Sequence, residues 1–187
     1  MMSFKNLFFN IIIICVCCLS LSQLAFCQIE SDSILCWNKD LQLKWSDFQG
    51  KAKQFGKAGC AAELTVESFW DEGINFNVNN CFDKTTSWTV DTVSEHLLEH
   101  EKLHFDIAEI HARKIRKAVD SLRRKGINQI SPYSEVIKYY LNRRREIDSL
   151  YDSETKHSID SLSQLNWKEK VLKELELLSK YEKDSSS

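Results

Sequence analysis

From about residue 35 to residue 90, apolar and polar residues alternate in short runs. Leu41-Gln42-Leu43-Lys44-Trp45, Ala62-Glu63-Leu64-Thr65-Val66-Glu67 and Ile74-Asn75-Phe76-Asn77-Val78-Asn79 each place every second side chain on one face. That period of two is the mark of a half-buried strand. Gly50, Gly56, Gly59 and Gly73 fall in the breaks between the runs, where turns are expected. The pattern predicts a small antiparallel sheet with one face on a core and one wet, closed by a short strand over Ser87–Val90.

The period then lengthens to that of a helix. Thr92 and Glu95 match a capping box, which predicts a first helix from about Val93 to about Lys125, stopped by Gly126. Ser131-Pro132 opens a second helix that runs to about Leu150. A break is expected over residues 152–161, and Ser161 with Gln164 starts a third helix ending near Tyr181. The fold class is therefore α+β: an N-terminal antiparallel sheet followed by a three-helix C-terminal part.

The start of the chain fits neither pattern. Lys5 precedes an apolar run from Leu7 to Leu21, and Ala25-Phe26-Cys27 offers a cleavage site, so residues 1–27 read as a secretory signal peptide. One domain is then expected over residues 28–187, with its core between about 35 and 182. Leu24-Ala25-Phe26-Cys27 also resembles a lipobox, with Phe26 where a small residue is normally wanted, so lipid attachment at Cys27 is a second expectation. Either way the protein is expected to be exported, to the periplasm, cell surface or exterior, with no transmembrane domain after cleavage. The formal net charge of -2 offers no basic face for nucleic acid. Arg143-Arg144-Arg145 lies in a charge-rich helical stretch and reads as a solvated face. Of seven cysteines, Cys36, Cys60 and Cys81 lie beyond the leader. Cys60 and Cys81 flank strand-like runs and are the expected disulfide, and no CxxC spacing suggests a thiolate metal site.

The first helix carries the chemistry. His100 and His104 are one turn apart, separated by about 40° around the axis and about 6 Å along it, so both imidazoles can reach one zinc ion. Glu101 points to one side of the pair and can take a proton from water there. This is the HExxH arrangement of zinc peptidases. An inverted pattern overlaps it, because His96-Leu97-Leu98-Glu99-His100 spells HxxEH, with Glu99 as base and His96 as second ligand. A third ligand is needed. His111 is about 10 Å along the axis from His104, too far on an unbroken helix. Asp106 and Glu109 point away from the pair and suit orientation of an imidazole. His157 is the preferred third ligand, against a carboxylate such as Glu109, Glu135 or Asp152. Tyr139, Tyr140 and Tyr151 are conceivable oxyanion donors, with helix packing the commoner role.

Taken together, several of these residues look like a known family. Trp45-Ser46-Asp47-Phe48-Gln49-Gly50, Ser87-Trp88, the run from Leu97 to Glu109, and Tyr151-Asp152 with Thr155 and His157 resemble a bacterial domain-of-unknown-function family described as predicted secreted zinc-dependent proteases. The resemblance covers about Leu35 to Trp167. It implies the direct motif, with His100 and His104 as ligands and Glu101 as base, and it recommends His157 through an Asp-x-x-Thr-x-His element. Where that resemblance leads one to expect glycine after the histidine, this chain has Ser158.

The expected function is that of a secreted zinc metallopeptidase, with one zinc per chain and a peptide or protein substrate. Two alternatives stand beside it: a non-catalytic envelope protein stabilised by zinc, and a zinc amidase acting on cell-wall material. A strand edge near Ser87–Val90 is the expected seat for a peptide, with Trp88 in the core as the plainer reading.

Overall fold

The computed structural model describes residues 33–183. The expected signal peptide over residues 1–27, with the expected cleavage site or lipid attachment at Cys27, lies outside the described residues. From Leu35 onward the chain forms one compact unit. Its strands are β1 (Ile34–Cys36), β2 (Ala58–Gly59), β3 (Ala62–Trp70), β4 (Ile74–Asp83) and β5 (Trp88–Thr89). Three helices follow: α1 (Glu95–Arg124), α2 (Ile130–Thr155) and α3 (Ser161–Leu177). No helix among the described residues is long and apolar enough to cross a membrane.

The α+β order read from the sequence is the observed one. β3 and β4 form a long antiparallel hairpin in which Val66 faces Val78, turning at Glu72 and Gly73, both with positive φ. β1 lies on the other side of β4, giving the order β1-β4-β3, and β2 pairs with β5 in a separate two-stranded ribbon. That order corrects the disulfide. Cys36 of β1 bonds Cys81 of β4, and Cys60 remains a free thiol. β1 and β4 are neighbouring strands, whereas Cys60 stands before β3 and is not opposite Cys81, whose partner across the ladder is Glu63.

α1 is the centre of the molecule. Phe105 and Ala108 pack with Leu43, Trp45, Phe48 and Phe82 from the sheet side. Leu103, Ile107 and Ile110 pack with Tyr151 of α2 and Trp167, Val171 and Leu175 of α3. Ala112, Ile115 and Val119 meet Val78 and Tyr133. Over residues 97–113 the helix is buried on nearly every side, and it carries His100, Glu101, Glu109, His111 and Arg113 inward, where buried polar groups call for partners.

The helix ends differ from expectation in ways that matter for the site. The N-cap of α1 is Ser94, whose Oγ accepts from the Leu97 N–H, rather than Thr92. Asp91 instead accepts from the N–H groups of Val93 and Ser94, holding the approach to the helix. α2 continues past Leu150 to Thr155, because nothing in 151–155 breaks a helix and the Thr155 hydroxyl bonds back to the Tyr151 carbonyl. It stops at three successive left-handed residues, Lys156, His157 and Ser158, with φ of 51°, 51° and 72°. α3 is then capped by Asp160, which accepts from the Ser163 N–H.

Candidate metal centre

One turn of α1 faces the last turns of α2. His100 and His104 project from α1, and the extension of α2 brings Asp152 against both. The Asp152 Oδ1 lies 3.1 Å from the His100 Nε2 and 3.0 Å from the His104 Nε2. These three side chains can each present a ligand atom to one cation. Two zinc bonds of 2.0–2.1 Å at a tetrahedral angle place their ligand atoms about 3.3 Å apart. The two spacings to Asp152 are close to that, so the two nitrogens and one oxygen could hold a metal ion.

Each imidazole is held from behind. The His104 Nδ1 lies 3.2 Å from the Asp148 carboxylate. A carboxylate can only accept, so Nδ1 donates to Asp148, and once the ring gives up the second hydrogen that faces Asp152, Nε2 is the atom available to a metal. Asp148 is fixed in turn by Arg144, whose Nε lies 2.7 Å from its other oxygen. His100 is held by packing: its ring stacks on Tyr151 with centroids 4.5 Å apart, while His104 meets the same ring edge-on at 4.9 Å. The Tyr151 hydroxyl reaches the His100 carbonyl.

Electrostatics follow from burial and these partners. Burial works to lower the His104 pKa, but its bonds to Asp148 and Asp152 overcome that and hold it at about 9. Burial lowers the His100 pKa, against the pull of Asp152. Asp152 is held well below the usual carboxylate range, since hydrogen bonds from both histidines outweigh its burial. The Glu101 carboxyl is buried and is pushed up to about 7, against the opposing pull of His104 and a hydrogen bond from the Cys60 N–H. A carboxylate poised near neutrality beside two metal-type ligands is suited to proton transfer. The Cys60 thiol is raised by burial and by Glu101 beside it.

The remaining sequence candidates stand elsewhere. His157 is largely exposed, with its Nδ1 3.5 Å from Asp152, at the margin of the cluster. Asp106 looks out on another face of α1, where it accepts from the Trp37 indole at 2.7 Å and lines a cavity of about 390 Å³ with Lys102 and Lys168. Glu109 is buried in an ion-pair network with Arg113 and Arg116. The overlapping HxxEH residues have other partners: His96 binds the Ser158 carbonyl, and Glu99 pairs with Lys102 and Lys168. His111 turns its Nδ1 to the Ile107 carbonyl, and Glu135 meets Ser131 near the start of α2. Tyr139 and Tyr140 meet edge to face. Trp88 is buried, as in the plainer reading, and β5 pairs with β2 along one edge.

Sequence reasoning missed Asp148 and Arg144. A signal was present: Asp148 and Asp152 repeat, on α2, the four-residue spacing of His100 and His104.

Residues 40–158 of the chain match the family model described as "Bacterial protein of unknown function (DUF922)". The match spans His100, Glu101, His104, Asp148, Asp152 and His157, and it ends where the left-handed run ends. No curated protein and no solved structure matches the chain.

Proposed function

The chain belongs to the bacterial family of unknown function DUF922, and on that premise we propose that it is an exported zinc-dependent peptidase. His100, His104 and Asp152 would hold the ion, with His157 beside them. The single observation that carries the reading is the convergence of both imidazole Nε2 atoms on one Asp152 oxygen, one residue away from a buried carboxyl titrating near 7.

A bound zinc ion supplies Lewis acidity, polarising a carbonyl and making water more acidic. The chain's own residues do the rest. Glu101 accepts the proton of the attacking water and can return it to the leaving nitrogen, as a carboxylate positioned beside the site can. Asp148 and Arg144 keep the His104 ring in one tautomer and orientation. Tyr151 fixes the angle between the two imidazoles. Export is supported by the Cys36–Cys81 disulfide, a bond that persists in oxidising compartments.

One observation favours a second reading. His157 lies 3.5 Å from Asp152 at the margin of the three groups, and were it to swing in and close the site, the ion would clamp α1 to α2 without catalysis. Incubating the purified protein with unfolded polypeptide, with and without chelator, separates the two. The peptidase reading predicts chelator-sensitive cleavage that is lost in Glu101→Gln while zinc is still bound. Zinc binding in wild type with no cleavage of any polypeptide, and a melting temperature that falls on chelation, would support the clamp instead.

A further inference from the structure

β3 is an outer strand of the three-stranded sheet. The β3–β4 register, with the Asp83 N–H on the Ala61 carbonyl, fixes the direction of each backbone group. Ala61, Glu63, Thr65 and Glu67 turn toward β4, while Ala62, Leu64 and Val66 turn outward. The Ala62 N–H meets the Cys60 sulfur. The N–H groups of Leu64 and Val66 have no hydrogen-bond partner among the described residues. Just beyond, the Cys60 N–H donates to Glu101. An unpaired strand edge therefore leads to the proposed catalytic base.

A trough runs along that edge. One hollow of about 360 Å³ is walled by Ala61 to Leu64 and by Leu141, Arg144 and Arg145 of α2. A second, of about 580 Å³, continues past Val66 and Ser68 against Ile137. Leu64, Leu141 and Arg145 line both, which makes them one continuous feature. Arg145 bonds the Asn142 side chain and makes no ion pair among the described residues, so it is left to meet a negative group.

We propose that this trough receives an extended polypeptide as an added strand on β3. Its backbone pairs with Leu64 and Val66, an acidic side chain faces Arg145, and the chain continues toward Glu101. An unpaired edge beside a groove is the setting in which main-chain bonds give affinity and side-chain pockets give preference. From Val66 to Cys60 is six residue steps, or about 20 Å of extended chain, so the occupant is a stretch of about six or seven residues from an unfolded or loop segment. The proposal deepens the peptidase reading and rests on it for its purpose, but the binding step is separable.

The test uses the zinc-loaded Glu101→Gln protein and a mixture of random decapeptides, with a fully N-methylated version of the same mixture as control. N-methylation removes the peptide N–H groups that would donate to the Leu64 and Val66 carbonyls and puts methyl groups where the strands must meet, so the paired ladder cannot form. Backbone amide exchange is read by NMR. The expected result is at least tenfold slower exchange at Leu64 and Val66 with the plain peptides and none with the N-methylated ones. Arg145→Glu is expected to weaken acidic peptides about fivefold and leave basic ones unweakened. Unchanged exchange at both amides, or equal protection by the two mixtures, overturns the proposal. Protection without cleavage by the wild-type protein would sink the peptidase reading and leave this one standing. Cleavage without protection would sink this one alone.

Discussion

Asp148 offers the sharpest perturbation, because it touches the proposed ligand His104 without being one of the three convergent groups. Its carboxylate accepts from the His104 Nδ1–H at 3.2 Å and is gripped by Arg144 at 2.7 Å. Asp148→Asn keeps the volume and an accepting oxygen but removes the charge that makes the imidazole a better donor to a cation. Asp148→Ala removes the acceptor as well and frees the ring to turn. Loss of such an outer partner typically weakens metal affinity about 10- to 100-fold, or about 1.4–2.7 kcal/mol. Because the pair is largely buried, solvent replaces it poorly. Asp148→Asn is therefore expected near the lower figure and Asp148→Ala near the upper. The assay is zinc affinity by competition with a chromophoric chelator, with the melting temperature of the metal-free variants as a check on folding. Equal affinity in wild type and Asp148→Ala, both folded, would refute the reasoning. So would a larger loss in Asp148→Asn than in Asp148→Ala.

Other consequences follow from the same geometry. In the metal-free protein Glu101 and His104 both titrate higher folded than unfolded, at about 7 and about 9. Their contribution is full below their unfolded values and is lost as pH rises through the folded ones, so metal-free stability should fall between about pH 5 and pH 9. Glu101→Gln should remove the Glu101 part of that loss, stabilising the metal-free protein at pH 8 by up to about 3 kcal/mol and hardly at all at pH 5. Denaturant melts at the two pH values check this, and an equal gain at both would contradict it. Ser158 holds φ of 72°, a region that costs a side-chain-bearing residue about 1–2 kcal/mol. Ser158→Gly should therefore raise stability by about 1 kcal/mol after glycine's own entropy cost, read as a shift in urea midpoint. The Cys36–Cys81 bond closes a 45-residue separation, so paired Cys36→Ser and Cys81→Ser substitution should cost about 4 kcal/mol on loop entropy. Chemical denaturation under non-reducing conditions measures it.

The strand alternation around Val66 and Val78, the three helices and the HExxH turn were all legible in the sequence, because each is set by local period. What the sequence hid is set by the chain's own neighbours in space. Asp152 was placed in a loop since no glycine or proline marks the true end of α2. The helix is ended instead by three left-handed residues of ordinary type, and that one extra turn brings Asp152 between the histidines while carrying His157 to the surface. Cys81 could not be matched to Cys36 without knowing that β1 lies beside β4. Arg144 looked like one charge among many in Arg143-Arg144-Arg145. Only its place on the inner side of α2, where Asp148 reaches the His104 ring, sets it apart.

A zinc-type ion held between α1 and α2 is what the proposed chemistry requires of the folded protein. Isothermal titration of the purified, metal-stripped protein with zinc measures this directly, alongside His100→Ala, His104→Ala, Asp152→Ala and a Glu109→Gln comparison. The expected result is one ion per chain, with binding weakened at least a hundredfold by each of the first three changes and unaltered in direct contact by the fourth. Saturating zinc that leaves no bound ion, or binding that survives the loss of both histidines undiminished, would contradict it.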